Sequence, residues 1–319
     1  MSALTKLDVV LQRSRSTAIA VATAKKFSED QSTNLATMIA FWAFFSIFPL
    51  LLVFVTVLGW VLPASSKESV LSHVAQMFPL LDPSTVKSLG GAVWALLIGV
   101  FSALWSGLAV VRTTQSAFNS VWEVPIHRRA GLVRQVLRSL AVLATVGAGL
   151  VLTTVISGFI TSASRGVNIG AIGQVGGYVV AAALDVVLLL AAFRILTDRS
   201  VTTRDVLPGA LLAGVVFFIL QQASALIISR YLHKAQSTYG HFATVITLLW
   251  WFYIQSIVTL LGAQLNVVLK ERLYPRSLVG GPQTEADHRV LQAYAAERTY
   301  QPDDQATAAA PTTQSPRTS

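Results

Sequence analysis

The sequence has no cysteine in its 319 residues, which excludes disulfides, thiolate metal sites and cysteine nucleophiles and leaves the redox compartment unreadable. Charge is nearly as scarce. Asp, Glu, Lys and Arg make up 12% of the chain, about half the share of an ordinary soluble domain. Histidine is thin as well: the five residues at 73, 127, 233, 241 and 288 are scattered, with no pair at metal-ligand spacing. Metal-assisted hydrolysis needs clustered His, Asp or Glu to hold ions and activate water. No metal, no cofactor and no catalytic residue is therefore expected, and the chain does not read as an enzyme.

What is present is apolar. The chain is 53% hydrophobic with a mean hydropathy of +0.60, and the apolar residues come in long blocks divided by short polar stretches. The net charge of +9 does not form one basic face, so nucleic acid is not expected as a partner. The Lys and Arg residues flank the apolar blocks, as they do beside membrane spans. A crossing needs roughly 20 mainly apolar residues, since a helix rises about 1.5 Å per residue through about 30 Å of hydrocarbon. Six segments qualify: Ile39 to Leu62, Ala92 to Val111, Leu140 to Thr161, Ala171 to Leu196, Val206 to Ile228, and Ala243 to Leu269. They are continuous rather than alternating in apolarity, which argues against a β-barrel. The expected fold is all-α, a polytopic bundle of six transmembrane helices.

Three parts follow from this reading: a basic arm over 1–36, the six-helix domain over 37–269, and a tail over 270–319 that is largely disordered from about Gln301. The arm carries Lys6, Arg13, Arg15, Lys25 and Lys26 and leads into a long apolar block without a small-residue cleavage site, so that block reads as a retained anchor. Basic residues also concentrate in the second connection (Arg128, Arg129, Arg134, Arg138) and beside the fourth (Arg199, Arg204). The positive-inside rule then puts both termini in the cytoplasm. Trp60, Trp94 and Trp122 suit an interfacial belt, whereas Trp105 and Trp251 read as packing residues. Between the first two spans, Ser65 with Glu68 and Asp82 with Pro83 are helix-start signals. With Val70, Leu71, Val74 and Phe78 on one face, an external amphipathic helix is expected there.

Within the spans, Asp185 is the one well-submerged carboxylate; a charge there costs at least about 2.5 kcal/mol and calls for a partner, water or a proton. Arg112 is a candidate partner, and a transport site and a structural pair both fit. Gln115, Asn119, Gln221, Gln222, Gln264 and Asn266 either bond helix to helix or line a polar cavity. Pro49 removes a backbone hydrogen bond from the first span and predicts a kink.

Three stretches resemble the YihY/BrkB family of bacterial inner-membrane proteins. They are Ala43-Phe44-Phe45-Ser46-Ile47-Phe48-Pro49-Leu50; Ala117-Phe118-Asn119-Ser120-Val121-Trp122; and a run from Tyr239-Gly240 through Trp250, Trp251, Phe252 and Tyr253 to Gly262-Ala263-Gln264-Leu265-Asn266. The family's last motif usually has an acidic residue where Gln264 stands. The resemblance implies an inner-membrane protein of the cell envelope, with relatives discussed as lipid or precursor transporters and as virulence factors. An older family label is tRNA-processing ribonuclease. The leading expectation is a transporter or flippase whose partners are membrane lipids, with an envelope lipid as substrate and homo-oligomers allowed. A non-transporting assembly scaffold is the alternative, and a ribonuclease ranks below both. On this reading Asp185, Arg112, Gln115, Asn119, Gln221, Gln222, Gln264 and Asn266 are the intramembrane polar site. Ser46, Pro49, Tyr239, Gly240, Trp250, Tyr253 and Gly262 are motif or hinge residues.

Overall fold

The computed structural model describes residues 14–61, 93–145, 170–198, 200–239, 242–277 and 284–298, together with Gln12, Gly147 and Gly149. Every regular element among them is helical. In chain order they are α1 (Arg15–Glu29), α2 (Ser32–Val61), α3 (Val93–Val121) and a 3-10 turn (Ile126–Arg128). There follow α4, described over 132–145, then α5 (Gly170–Leu196), α6 (Thr203–Tyr239), α7 (Ala243–Lys270) and α8 (Glu285–Glu297). Five of these helices, α2, α3, α5, α6 and α7, are long and apolar enough to cross a membrane. Of the third expected span only the first residues, on α4, are described. The expected external helix between the first two spans, and the tail from Gln301, lie outside the described residues.

Hydropathy located the spans but not their ends. α2 begins seven residues before Ile39, α3 runs ten residues past Val111, and α6 continues to Tyr239. A hydropathy block stops where polar residues begin, whereas a helix continues as long as its polar face finds partners. Gln115 and Asn119, beyond the expected end of span two, are both buried.

α7 is the centre of the bundle, packing on α6, α2, α1 and α3, while α2 pairs with α3 and α5 with α6. The outer surface is apolar: Phe101 is 70% exposed, Trp105 69% and Leu97 66%. A continuous apolar exterior of that extent has lipid as its solvent. Trp122 corrects the belt expectation, since it is 1% exposed and lies beneath the Lys270 ammonium at 5.4 Å. Trp105, read as a packing residue, faces outward instead.

Among the described glycines the closest approach is between α6 and α7. A Cβ placed on Gly209 would stand 2.0 Å from the Gly262 carbonyl oxygen, and one on Gly262 would stand 2.7 Å from that of Gly209. The two backbones therefore touch, the geometry that small residues allow in membrane bundles. Asn266 adds a bond at the same crossing, its Oδ1 accepting the Gly209 backbone N–H at 2.6 Å. Pro208 lies beside it within the helix and offers no N–H of its own. Gly209→Ala and Gly262→Ala are each expected to lower stability by about 3 kcal/mol, the upper range for overpacking a tight contact. Gly176, with nothing near its Cβ position among the described residues, is the control. Its alanine variant should be neutral or stabilised in thermal unfolding of the detergent-purified protein.

Candidate functional site

Three polar ties close one end of the bundle. At the first, Lys26 of α1 is fully buried; its ammonium bonds Asp30 at 3.0 Å and pairs with Glu123, with the Tyr294 ring 5.2 Å away. Asp30 also accepts hydrogen bonds from Gln264 Nε2 at 2.7 Å and from the Tyr294 hydroxyl. The same Gln264 nitrogen reaches Ser32 Oγ at 2.9 Å. Glu123 is delivered to this cluster by a left-handed backbone (φ 50°). The turn is closed by Glu123 N donating to Ser120 O and Val124 N donating to Asn119 O, the arrangement in which glycine is usual. Burial pushes the Glu123 carboxyl up from its ordinary value, against the pull of Lys26.

The second tie joins α3 to the end of α5. Asn119 Nδ2 donates to Asp198 at 2.8 Å and its Oδ1 accepts the Asp198 backbone N–H at 3.0 Å. Asp198 also takes the Ala130 N–H at 3.1 Å and pairs with Arg138. At the third tie, α8 is held against α1. Its start is a capping box of Thr284 and Asp287. Asp287 is buried and receives Arg276 at 2.9 Å and Lys25 at 3.1 Å. Burial works against ionisation of Asp287, but Thr284, Arg276, Lys25 and the Ser277 N–H outweigh it and hold the carboxyl well below the usual range.

The remaining sequence candidates fall elsewhere. Asp185 does not meet Arg112; both of its oxygens accept Gln221 Nε2, at 3.3 and 3.2 Å. Gln222 is exposed. Gln115 is 1% exposed, and its amide oxygen and nitrogen have no hydrogen-bond partner among the described residues. Ser46 donates to the Ala43 carbonyl at 2.7 Å, Tyr253 packs against the core, and Trp250 is half-buried on α7. Tyr239 ends α6, and Gly240 lies outside the described residues. The sequence reading did not single out Lys26, Glu123, Asp198, Asp287 or Tyr294 as site residues. The local signals were the i, i+4 spacing of Lys26 and Asp30 and the Thr284 to Asp287 spacing of a capping box.

Arg112 and Pro49 line a groove between α2 and α3, with α4 at one end. One section, of about 590 Å³, is bordered by Arg112, Thr113, Ser116, Gln135, Met38 and Leu108, among others. The next, of about 650 Å³, is bordered by Phe45, Phe48, Pro49, Phe101, Ser102 and Ser106. Trp42 and Trp105 border both. Among the described residues no group of three or more His, Asp or Glu could hold a metal ion.

An all-helical bundle with an apolar exterior, polar ties at one end and a side groove is a multi-pass membrane protein. Residues 23–287 match the family model described as Virulence factor BrkB, and the chain belongs to that family. It is 23% identical over 262 residues to the ribonuclease-like protein YfkH of Bacillus subtilis, covering 77% of this chain and 93% of the relative. It is 23% identical over 272 residues to a UPF0761 membrane protein of Pseudoalteromonas translucida, covering 82% and 87%. With a UPF0761 membrane protein of Nitrosospira multiformis it shares 30% identity over 175 residues, 52% of this chain and 39% of that one. No solved structure matches.

The third tie is open to direct measurement. Because the folded-state carboxyl of Asp287 lies below its unfolded value, its stabilisation is complete above the unfolded pKa and lost as pH falls through the depressed one. Asp287→Asn should release α8 at neutral pH at a cost of about 3 kcal/mol, the low end for breaking a buried pair. Hydrogen exchange over residues 285–297 would report it. In the unmodified protein the same release should come only in acid below the ordinary carboxylate range.

Proposed function

We propose that the chain crosses the bacterial plasma membrane six times with both termini in the cytoplasm and moves lipids or envelope precursors between leaflets. The observation that carries this reading is the groove between α2 and α3. It opens sideways on the outer face of the bundle, where Phe101 and Trp105 are among the most exposed side chains. A polar headgroup crossing hydrocarbon alone loses its hydration at a cost of several kcal/mol. A wall that carries Arg112, Thr113, Ser116, Ser102 and Ser106 between aromatic rings offers bonds along the way while the acyl chains stay in lipid. Pro49 contributes too: with no N–H, it leaves the Phe45 carbonyl without its helical donor, and both residues border the groove. Six crossings would also set two three-helix halves in opposite orientations, a common transporter plan.

One observation favours a non-transporting scaffold instead. Asp185 is held by the Gln221 amide and does not border the groove, which suits helix joining. Reconstituted vesicles carrying a headgroup-labelled lipid separate the two. Transport predicts faster loss of inner-leaflet protection than in empty vesicles, slowed about tenfold by Trp42→Ala with Trp105→Ala, equivalent to ~1.4 kcal/mol on the barrier. Asp185→Asn should lower folded yield without a specific movement defect. Rates no faster than in empty vesicles would leave the scaffold, and cleavage of labelled tRNA with divalent metals, lost on a point substitution, would restore the nuclease reading.

A further inference from the structure

The groove is asymmetric along its length, and the asymmetry specifies a ligand. At one end stands Arg112, exposed and the single charged side chain among the described residues that border it. Beside it are Thr113, Ser116 and Gln135, whose side chains, like that of Arg112, make no hydrogen bond or ion pair among the described residues. Several other cations near the bundle's polar end are paired with carboxylates: Arg138 with Asp198, Lys26 with Asp30 and Glu123, Lys270 with Asp205, Arg276 with Glu29 and Asp287. Among the described residues no carboxylate pairs with Arg112. At the other end the border is Phe45, Phe48, Pro49 and Phe101, with only Ser102 and Ser106 polar.

Two lengths agree with this polarity. The apolar block Ala92 to Val111 is 20 residues long, which at about 1.5 Å per residue is the full depth of a roughly 30 Å hydrocarbon layer, and Arg112 directly follows it. Arg112 therefore sits at headgroup depth on one side. From Arg112 back to Phe101 the same rise gives roughly 16 Å, about half that layer and so the reach of one leaflet's acyl chains. Guanidinium suits the occupant's other end as well, since its planar fork of donors matches a phosphate better than any neutral headgroup.

We infer that the groove is a binding site for one anionic phospholipid of the leaflet at the Arg112 end. Its phosphate lies on Arg112, with Ser116, Thr113 and Gln135 as neutral donors. Its acyl chain runs past Trp42 and Trp105 to the slot beside Pro49. This inference rests on the lipid-handling function proposed above and names the class of lipid.

The test is lipid retention. Protein purified from nanodiscs holding equal phosphatidylglycerol and phosphatidylcholine is analysed by native mass spectrometry for the headgroups it keeps. The wild type should keep phosphatidylglycerol over phosphatidylcholine in a ratio of about five to one, the scale of one basic residue at an anionic surface. Arg112→Gln should retain lipid without that preference, Arg112→Lys should keep part of it, and Trp105→Ala should lose both lipids alike. Should Arg112→Gln fail to fold, Ser116→Leu and the wild-type headgroup ratio still decide the question. Retention in disc proportions by the wild type overturns the anionic site and leaves lipid handling standing. A wild type that keeps neither lipid overturns both.

Discussion

A lysine ammonium with no access to solvent governs how this molecule closes. Desolvating Lys26 costs several kcal/mol unless charged and hydrogen-bonding groups surround it. Those groups come from four separate parts of the chain: Asp30 from the end of α1, Glu123 from the turn after α3, Tyr294 from α8, and Gln264 of α7 through Asp30. None of the four pays for the others alone, so the end of the bundle assembles as a unit. The left-handed backbone at Glu123 belongs to the same constraint. Local preference would put glycine there, and a glutamate persists because its carboxylate completes the shell around Lys26. Since Glu123 directly follows the last turn of α3, the buried cluster fixes the height at which α3 leaves the bundle. It thereby fixes where Arg112 and Trp105 stand along the groove.

How much of this was legible in the sequence depended on the range of the interaction. Long apolar runs are dictated by the solvent, since hydrocarbon requires each backbone group to be satisfied within the helix, and the five described spans were all located. Their ends were not, because α3 is prolonged by Gln115 and Asn119, whose burial depends on neighbouring elements. Trp122 and Trp105 exchanged roles for a related reason. An interfacial rule reads depth along the membrane normal, whereas burial depends on which face of α3 a ring occupies, and Trp122 faces protein while Trp105 faces outward. The polar residues Asn119, Gln264 and Asn266 were marked as candidates from type alone. Their partners Asp198, Asp30 and Gly209 lie 79, 234 and 57 residues away in the chain, and no local pattern connects such positions. Lys26 was read as one of several positive charges in a basic arm, because burial leaves no mark on a single sequence.

Gln264 shows how the family motif operates in this chain. Its amide donates to Asp30, a carboxylate that already accepts from Lys26 and Tyr294. An amide can add a third donor to that carboxylate without changing the charge of the cluster. A carboxylate at position 264 would add a third negative group to Asp30 and Glu123 around one lysine, and one of them would have to hold a proton. The glutamine therefore suits a cluster whose positive charge is limited to a single lysine. Two residues further on, Asn266 uses its oxygen at the α6 crossing. One motif thus ties α7 to α1 on one side and to α6 on the other.

These ties divide the bundle into halves with different mechanical character. On the α6 and α7 side, backbone meets backbone at Gly209 and Gly262, and packed contacts of that kind do not deform by small steps. On the α2 and α3 side, the upper contact is also close, with Val53 and Leu52 against Gly99, but it gives way toward Arg112 to a groove bordered by large side chains. Aromatic and methionine side chains can change rotamer where glycine backbones cannot slide. Any motion at the groove would therefore fall to α2 and α3, with α6 and α7 as the fixed part of the bundle. The buried cluster around Lys26 joins the two sides at their common end. It holds the foot of α2, through Ser32, and the exit of α3, through Glu123, against α7, so that opening the groove does not separate the helices that form it.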